Sequence, residues 1–303
     1  MDIKDITVVV PTYNQLTHLR CLLKSLENQR PHPPEFKVII VDDGSHDGTV
    51  EFLKAYNSVL DLECIFNGVN LGRGAARNRG AARVESRILL FLDGDMECSA
   101  DLVAGHSMKH HNDDSVIIGR VIYDRNLGRR AWTRYLETRG CAKLRLGQPV
   151  PGRYFLSGHS SLSKRLFDAV GGFDEKLLFY GEDIDMGLRL AAAGAAITYA
   201  PELSIKHLHT RDLTSSLRLA YEYGSKTLPY LTAKHPQLLA ELGPLKMSTA
   251  GIKGYIYKFL LNKYCYGCVK TTAKIFDNIW TPAVIYDYLL FCNYYSGFKS
   301  EEV

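Results

Sequence analysis

Short apolar runs, each about the length of one strand, alternate with stretches of helical periodicity through the first third of the chain. No other feature constrains the fold as strongly. Ile6 to Val10, Lys37 to Val41, Leu62 to Phe66 and Arg87 to Leu92 read as strands. Helices are expected between them, from about Gln15 to Gln29, Thr49 to Tyr56 and Gly74 to Val84. Strands joined by crossover helices predict an α/β fold with a mostly parallel central sheet and right-handed connections. Ligands of such sheets sit beyond the carboxyl ends of the strands. Pro11, the Asp42-Asp43 pair and the segment Asp93-Gly94-Asp95 all fall at those ends, so motifs distant in sequence are expected to meet in one crevice.

Asp93 and Asp95 follow the apolar run Ile88 to Leu92. In extended chain, residues two apart point the same way, so both carboxylates can face one divalent cation and the phosphates it carries. An isolated Asp-x-Asp is most simply an acidic turn, and its neighbours decide otherwise. Upstream stand Val10-Pro11-Thr12-Tyr13-Asn14 and Val41-Asp42-Asp43-Gly44-Ser45-His46-Asp47; downstream stand Gly171-Gly172-Phe173-Asp174 and Gly181-Glu182-Asp183-Ile184-Asp185. In this order the motifs resemble those of family 2 glycosyltransferases, nucleotide-sugar-dependent enzymes of the GT-A fold. The resemblance covers about the first two thirds of the chain and fades after about residue 212. The expected domains are therefore a GT-A-like unit over residues 1–212 and a helical region over 213–303.

The resemblance implies roles for particular residues. Pro11, Thr12 and Tyr13 are expected at the nucleobase, with Asp43 accepting a hydrogen bond from it. Arg73 or Arg77, near the start of the helix after Asn70-Leu71-Gly72, is expected near the donor diphosphate, where a helix start adds positive potential. Asp93 is assigned to the ribose and metal region, and Asp95 to coordination of Mn2+ or Mg2+. His207 or His209 is a further metal ligand, with His207 preferred. The Glu182-Asp183 pair supplies the general base, Asp183 first and Glu182 second. Acids in a first helical turn also favour the helix dipole without any catalytic role. That account suits Asp185, which is spaced to pair with Arg189.

Two departures from the family pattern narrow the reading. Gly158-His159-Ser160 stands where relatives commonly carry Gly-x-Asn, so contacts of that asparagine do not transfer. The Gln-x-x-Arg-Trp signature of processive synthases is absent, which favours one sugar added per encounter. The expected reaction is inverting, metal-dependent transfer from a nucleotide-sugar, UDP by default, to a hydroxyl of a glycan, lipid-linked or other acceptor. A haloacid-dehalogenase-like phosphatase also carries a strand ending in Asp-x-Asp, but usually after its first strand. A non-catalytic nucleotide-binding or membrane-surface adaptor is the other rival.

Composition bounds the setting. A net charge of +4 gives no case for nucleic acid, and the seven scattered cysteines suit a reducing cytoplasm better than a disulfide framework. Cys265-Tyr-Gly-Cys268 lacks a second ligand pair for zinc. No apolar stretch reaches the ~18 residues of a spanning helix. Between Arg120 and Pro151 an irregular insertion is expected. From Lys246 to Lys274 the only charges are lysines, and Ile252, Tyr255, Ile256, Phe259 and Leu260 form one helical stripe. A packed helix with solvated lysines, or a peripheral helix on an anionic membrane, would each account for that pattern.

Overall fold

The computed structural model describes residues 5–32, 34–124, 127, 131–145, 147–178, 180–241, 261–276 and 281–300. Two compact units share the chain. The first takes residues 1–127, 139–178 and 182–209; the second takes 128–138, 179–181 and 210–303.

The first unit is an eight-stranded sheet. Its strands are β1 (Ile6–Thr12), β2 (Lys37–Asp42), β3 (Asp61–Phe66), β4 (Ile88–Leu92), β5 (Met96–Cys98), β6 (Ser115–Tyr123), β7 (His159–Ser163) and β8 (Ala196–His207), in the order β3-β2-β1-β4-β7-β6-β8-β5. Around them lie helices α1 (Leu16–Glu27), α2 (Thr49–Ala55), α3 (Arg73–Ala81), α4 (Leu102–Lys109), α6 (Lys164–Ala169) and α7 (Glu182–Ala192); α5 (Ala131–Glu137) belongs to the second unit. β3, β2, β1 and β4 are parallel neighbours, as the crossover pattern requires. Every residue of β1 and β4 is buried. Strands covered on both faces have no reason to alternate, which is why these read as continuous apolar runs.

The other half of the sheet is mixed. β7 runs antiparallel to both β4 and β6, while β6 and β8 are parallel. β8 continues through Pro201, and the β6–β8 register slips at Gly119/Arg120. A residue without a backbone N–H is tolerated where the ladder is already interrupted. The strand expected from Tyr154 to Leu162 is shorter: a 3-10 turn covers Gly152–Tyr154 and the strand begins at His159. At its end, Ser163 caps α6 by accepting from the Leu166 amide at 3.1 Å.

Apolar side chains separate by sheet face. Leu90 and Leu92 pack with α1 and α4 residues such as Leu22, Leu102 and Val103. Phe91, between them, packs with Phe167, Phe173 and Met186 on the other face.

The second unit is helical, with α5 beside α8 (Leu213–Glu222), α9 (Leu228–Lys234), α10 (Gln237–Glu241), α11 (Lys263–Phe276) and α12 (Ala283–Lys299). Part of the expected irregular insertion is thus the helix α5. Its Trp132 and Tyr135 meet Tyr286 with ring centroids 5.2 and 4.9 Å apart. The Tyr135 hydroxyl donates to Asp287 at 2.7 Å. The apolar stripe Ile252 to Leu260 lies outside the described residues. Among the described residues, no helix is long and apolar enough to cross a membrane.

Candidate active site

The carboxyl ends of β1, β2 and β4 carry their polar residues into one region of the first unit. β1 ends at Thr12, whose carbonyl accepts from the Asp43 amide at 2.9 Å. Pro11 is buried in the ladder opposite Val41, Thr12 is 2% exposed, and Tyr13 emerges at 43% exposure. Of these three expected base contacts, Tyr13 therefore presents the open aromatic face. Asn14 adopts a left-handed conformation, and its side-chain oxygen accepts from the His46 amide at 2.8 Å, stitching the first loop to the second.

Asp43 is buried and organises the loop before α3. One oxygen accepts from Asn67 Nδ2 at 2.8 Å and the Leu71 amide at 3.0 Å; the other accepts from the Gly72 amide at 2.9 Å. Asp42 instead folds back on the Gly44 and Ser45 amides, and its Oδ1 is buried without a hydrogen-bond partner. Gly44 has φ +81°, and a Cβ there would sit 2.7 Å from the Val69 carbonyl carbon, so the turn requires glycine.

Asp93 and Asp95 leave β4 toward different partners. Asp93 Oδ1 accepts from Arg77 Nη2 at 2.6 Å. Burial pushes the Asp93 carboxyl up, but the charges of Arg77 and Arg73 outweigh that and hold it below the usual carboxylate range. A Cβ on Gly158 would lie 2.4 Å from Asp93 Oδ2, so only glycine allows β7 to begin this close. Asp95 is 8% exposed; its Oδ2 accepts from Gln15 Nε2 at 3.2 Å, while its Oδ1 has no hydrogen-bond partner. Burial, with the charge of Asp93, raises its carboxyl against the opposing pull of His207.

His207 Nε2 stands 3.7 Å from that unpartnered Asp95 oxygen. The ring stacks on Tyr123 at 5.3 Å, and its Nδ1 accepts from the His209 amide at 3.2 Å. The His209 ring turns edge-on to His18, 5.9 Å away. Among the described residues, no three His, Cys, Asp or Glu side chains make a ready metal cage. An orphaned carboxylate oxygen facing an imidazole nitrogen nevertheless fits a divalent cation that takes its remaining ligands from phosphate and water, the usual arrangement for Mg2+. The His209 amide contact places the ring proton on Nε2. Coordination there requires the proton to move to Nδ1 and that contact to open.

α7 brings the remaining acids. Glu182 is 3% exposed, with Oε1 3.4 Å from Arg77 Nη1 and 3.5 Å from Arg73 Nε. Asp183 Oδ1 accepts from the Ser157 hydroxyl in a short contact and from the Ser157 amide at 3.3 Å. Burial, reinforced by the Glu182 charge, pushes the Asp183 carboxyl up to about 6, against the pull of Arg77 and the Ser157 hydrogen bond. Asp185 pairs with Arg189 at 2.7 Å and is fully buried, a structural role.

Two of these partners carry no sequence signal of their own. Gln15 follows the β1 motif, and Ser157 precedes Gly158; each acquires meaning only from the carboxylate it meets.

Comparison with known proteins agrees with this geometry. The family model described as glycosyl transferase family 2 matches residues 7–171, and one described as the N-terminal domain of galactosyltransferase matches 139–211. A pre-mycofactocin glycosyltransferase of Mycobacterium tuberculosis is 31% identical over 261 residues, covering 84% of this chain and 52% of the relative. The validoxylamine A glucosyltransferase of Streptomyces hygroscopicus subsp. limoneus is 28% identical over 271 residues, covering 78% and 58%. The chain thus spans little more than half the length of these curated relatives. Among solved structures, a mannosyltransferase from Pyrobaculum calidifontis in complex with GDP-Man and Mn2+ superposes with TM-score 0.62 at 17% identity, covering 96% of this chain and 86% of that one. S. aureus TarS 1-349 in complex with UDP-GlcNAc gives 0.58 at 20%, covering 98% and 91%. The structural likeness establishes the α/β fold of glycosyltransferases, and the family model over residues 7–171 establishes descent: the chain belongs to glycosyl transferase family 2.

Proposed function

We propose that the chain is an inverting, metal-dependent and non-processive glycosyltransferase, moving a sugar from a nucleotide-sugar, UDP-linked by default, to an acceptor hydroxyl. The observation that carries this reading is Asp183, a half-buried carboxylate held by Ser157 beside Glu182 and Asp93, with its carboxyl pushed up to about 6. A base with a carboxyl raised toward neutrality still accepts protons at neutral pH while being ionised enough to act.

In this mechanism Asp183 takes the proton of the acceptor hydroxyl as its oxygen attacks the anomeric carbon. The bond from that carbon to the diphosphate oxygen breaks on the opposite face, so one displacement inverts the centre. Ser157 holds the Asp183 carboxylate in place through two hydrogen bonds. Tyr13 offers a stacking face to the base, and Asp43 fixes the loop that borders it. Asp95 and His207 would hold Mn2+ or Mg2+, which when bound supplies positive charge to offset that gained by the leaving diphosphate.

The donors bound by the two structural neighbours, UDP-GlcNAc and GDP-Man, differ in base and sugar. A thermal-shift screen of UDP-, GDP- and dTDP-sugars with and without Mn2+ tests the reading. Stabilisation by one donor class that grows with Mn2+ is expected. Stabilisation by none, together with turnover of a generic phosphatase substrate, would favour the phosphatase alternative.

The acceptor reading extends to a cytoplasmic protein at an anionic membrane surface. α11 carries Lys263, Lys270 and Lys274 with no acidic residue, and Tyr264 and Ile275 stand 72% and 65% exposed. Each lysine near such a surface contributes about 1 kcal/mol, weakened by salt. Flotation with anionic liposomes should show binding that falls as salt rises; no binding at low salt makes α11 an ordinary solvated helix.

A further inference from the structure

Arg77 is the largest side chain among the fully buried residues, and it lies between the two acidic halves of the site. One guanidinium nitrogen is 2.6 Å from Asp93 Oδ1 and another is 3.4 Å from Glu182 Oε1. Its face lies over the Phe173 ring, 5.5 Å from the centroid, and its Nε is buried without a hydrogen-bond partner. One turn earlier on α3, Arg73 is 43% exposed at the side chain and reaches the same Glu182 oxygen at 3.5 Å. The two arginines therefore have different access: Arg73 meets solvent and Arg77, at 1% exposure, does not.

We propose that Arg77 is a positioning residue that locks Asp93 to the Glu182-Asp183 pair and does not itself touch the donor diphosphate. The functional half of this inference rests on the glycosyl-transfer reading of the same site. Its physical basis is the planar guanidinium, whose rigid fork holds two carboxylates on different elements at a fixed spacing and angle, where an ammonium is a point charge with rotatable donors. On the far side of Asp93 stands Gly158, so that carboxylate is held between a backbone and a buried cation. Glu182 is buried and faces both arginines. The charged groups facing Asp183 are Glu182 from its own helix and Arg77 and Arg73 from α3, with Ser157 donating from the segment before β7. Arg77 thus opposes the Glu182 charge at the base while anchoring the donor side.

The test follows the Asp183 carboxyl directly, by carbon NMR of protein labelled at aspartate carboxyls and assigned with Asp183→Asn. In Arg77→Met the Asp183 titration should move upward by about 1–3 pH units, the usual effect of losing a neighbouring arginine. Unchanged titration would overturn the proposal whether or not the chain transfers sugar. Loss of the cation that Asp93 and Glu182 share can prevent folding, so the comparison is repeated between Glu182→Gln and Glu182→Gln/Arg77→Met. The first should titrate below wild type and the second should return toward it; two identical titrations would again overturn the idea. Calorimetry with UDP and with uridine, both with Mn2+, separates positioning from phosphate contact. If Arg77 positions, its loss weakens both ligands by a similar factor. Selective loss of UDP affinity would make Arg77 a diphosphate ligand and end the proposal. If the wild type binds neither nucleoside ligand, the functional reading fails while the titration still decides the role of Arg77.

Discussion

Two polar clusters, one buried and one partly open, meet at the start of β7, and they are built on opposite electrostatic plans. On one face, Arg77 joins Asp93 and Glu182, and Asp183 stands beside them. On the other, His106 and His110 of the α4 end meet His159 and Ser161 of β7. His110 Nε2 lies 2.7 Å from Ser161 Oγ, which lies 2.8 Å from His106 Nδ1; His106 Nε2 is 3.1 Å from His159 Nε2. Each contact needs one proton, so these three contacts can form with every ring neutral and the donors running in one direction. Burial lowers all three rings, His110 to about 4 and His159 to about 3. Burial alone therefore does not make a reactive site. The histidine cluster is uncharged, although His110 Nδ1 and His159 Nδ1 lack hydrogen-bond partners; the carboxylate cluster keeps opposed charges.

The largest expected effect separates the clusters by chemistry. Asp183→Asn removes the proposed base with almost no change of shape, so transfer should fall by about 10²–10⁴-fold while donor affinity survives. Steady-state rates and calorimetry on the same preparation check this. An active Asp183→Asn with an inactive Glu182→Gln would move the role to Glu182.

A smaller effect should appear on the other face. His106→Leu leaves His159 and Ser161 without their shared partner and should lower stability by about 1–3 kcal/mol in urea denaturation. Turnover per folded molecule should hold at the wild-type value. A collapse of turnover at unchanged stability would show that the two clusters act as one.

The smallest effect is a slope with pH. The histidines sit below their unfolded value of about 6.5, so their contribution is complete above that pH and is lost as acid charges the unfolded rings. Asp183, raised to about 6, works the other way, its contribution falling as pH rises through about 6. Three rings against one carboxyl predict a net loss of stability from pH 7 to 6 of roughly 1–2 kcal/mol. Greater stability at pH 6 than at 7 would mean the rings are not held neutral. Activity should instead show an acid limb near pH 6.

The first half of the sheet was legible because β1, β2 and β4 are covered on both faces, which writes them as apolar runs. β6 and most of β8 were not, since β8 is partly exposed, contains Pro201 and shifts register against its neighbour. α5 was hidden in what read as an insertion because its apolar partners come from a distant stretch of sequence. The carboxylates at the strand ends were legible as residue types. The burial of Arg77, the Ser157 contact and the histidine chain were not, because each depends on a pairing between elements and leaves no local pattern.

The composition of the second unit also sets an order of events during synthesis. Tyr135 and the Asp287 that accepts its hydrogen bond are 152 residues apart in sequence. At about 5–20 residues per second, α5 leaves the ribosome on the order of ten seconds before its partner exists. Until then Trp132 and Tyr135 lack Tyr286 and Leu289 of their core, while β1 to β4 already have each other. The nascent chain should be most exposed to chaperone capture and aggregation in that window, and a translational pause placed before Tyr286 would lengthen it.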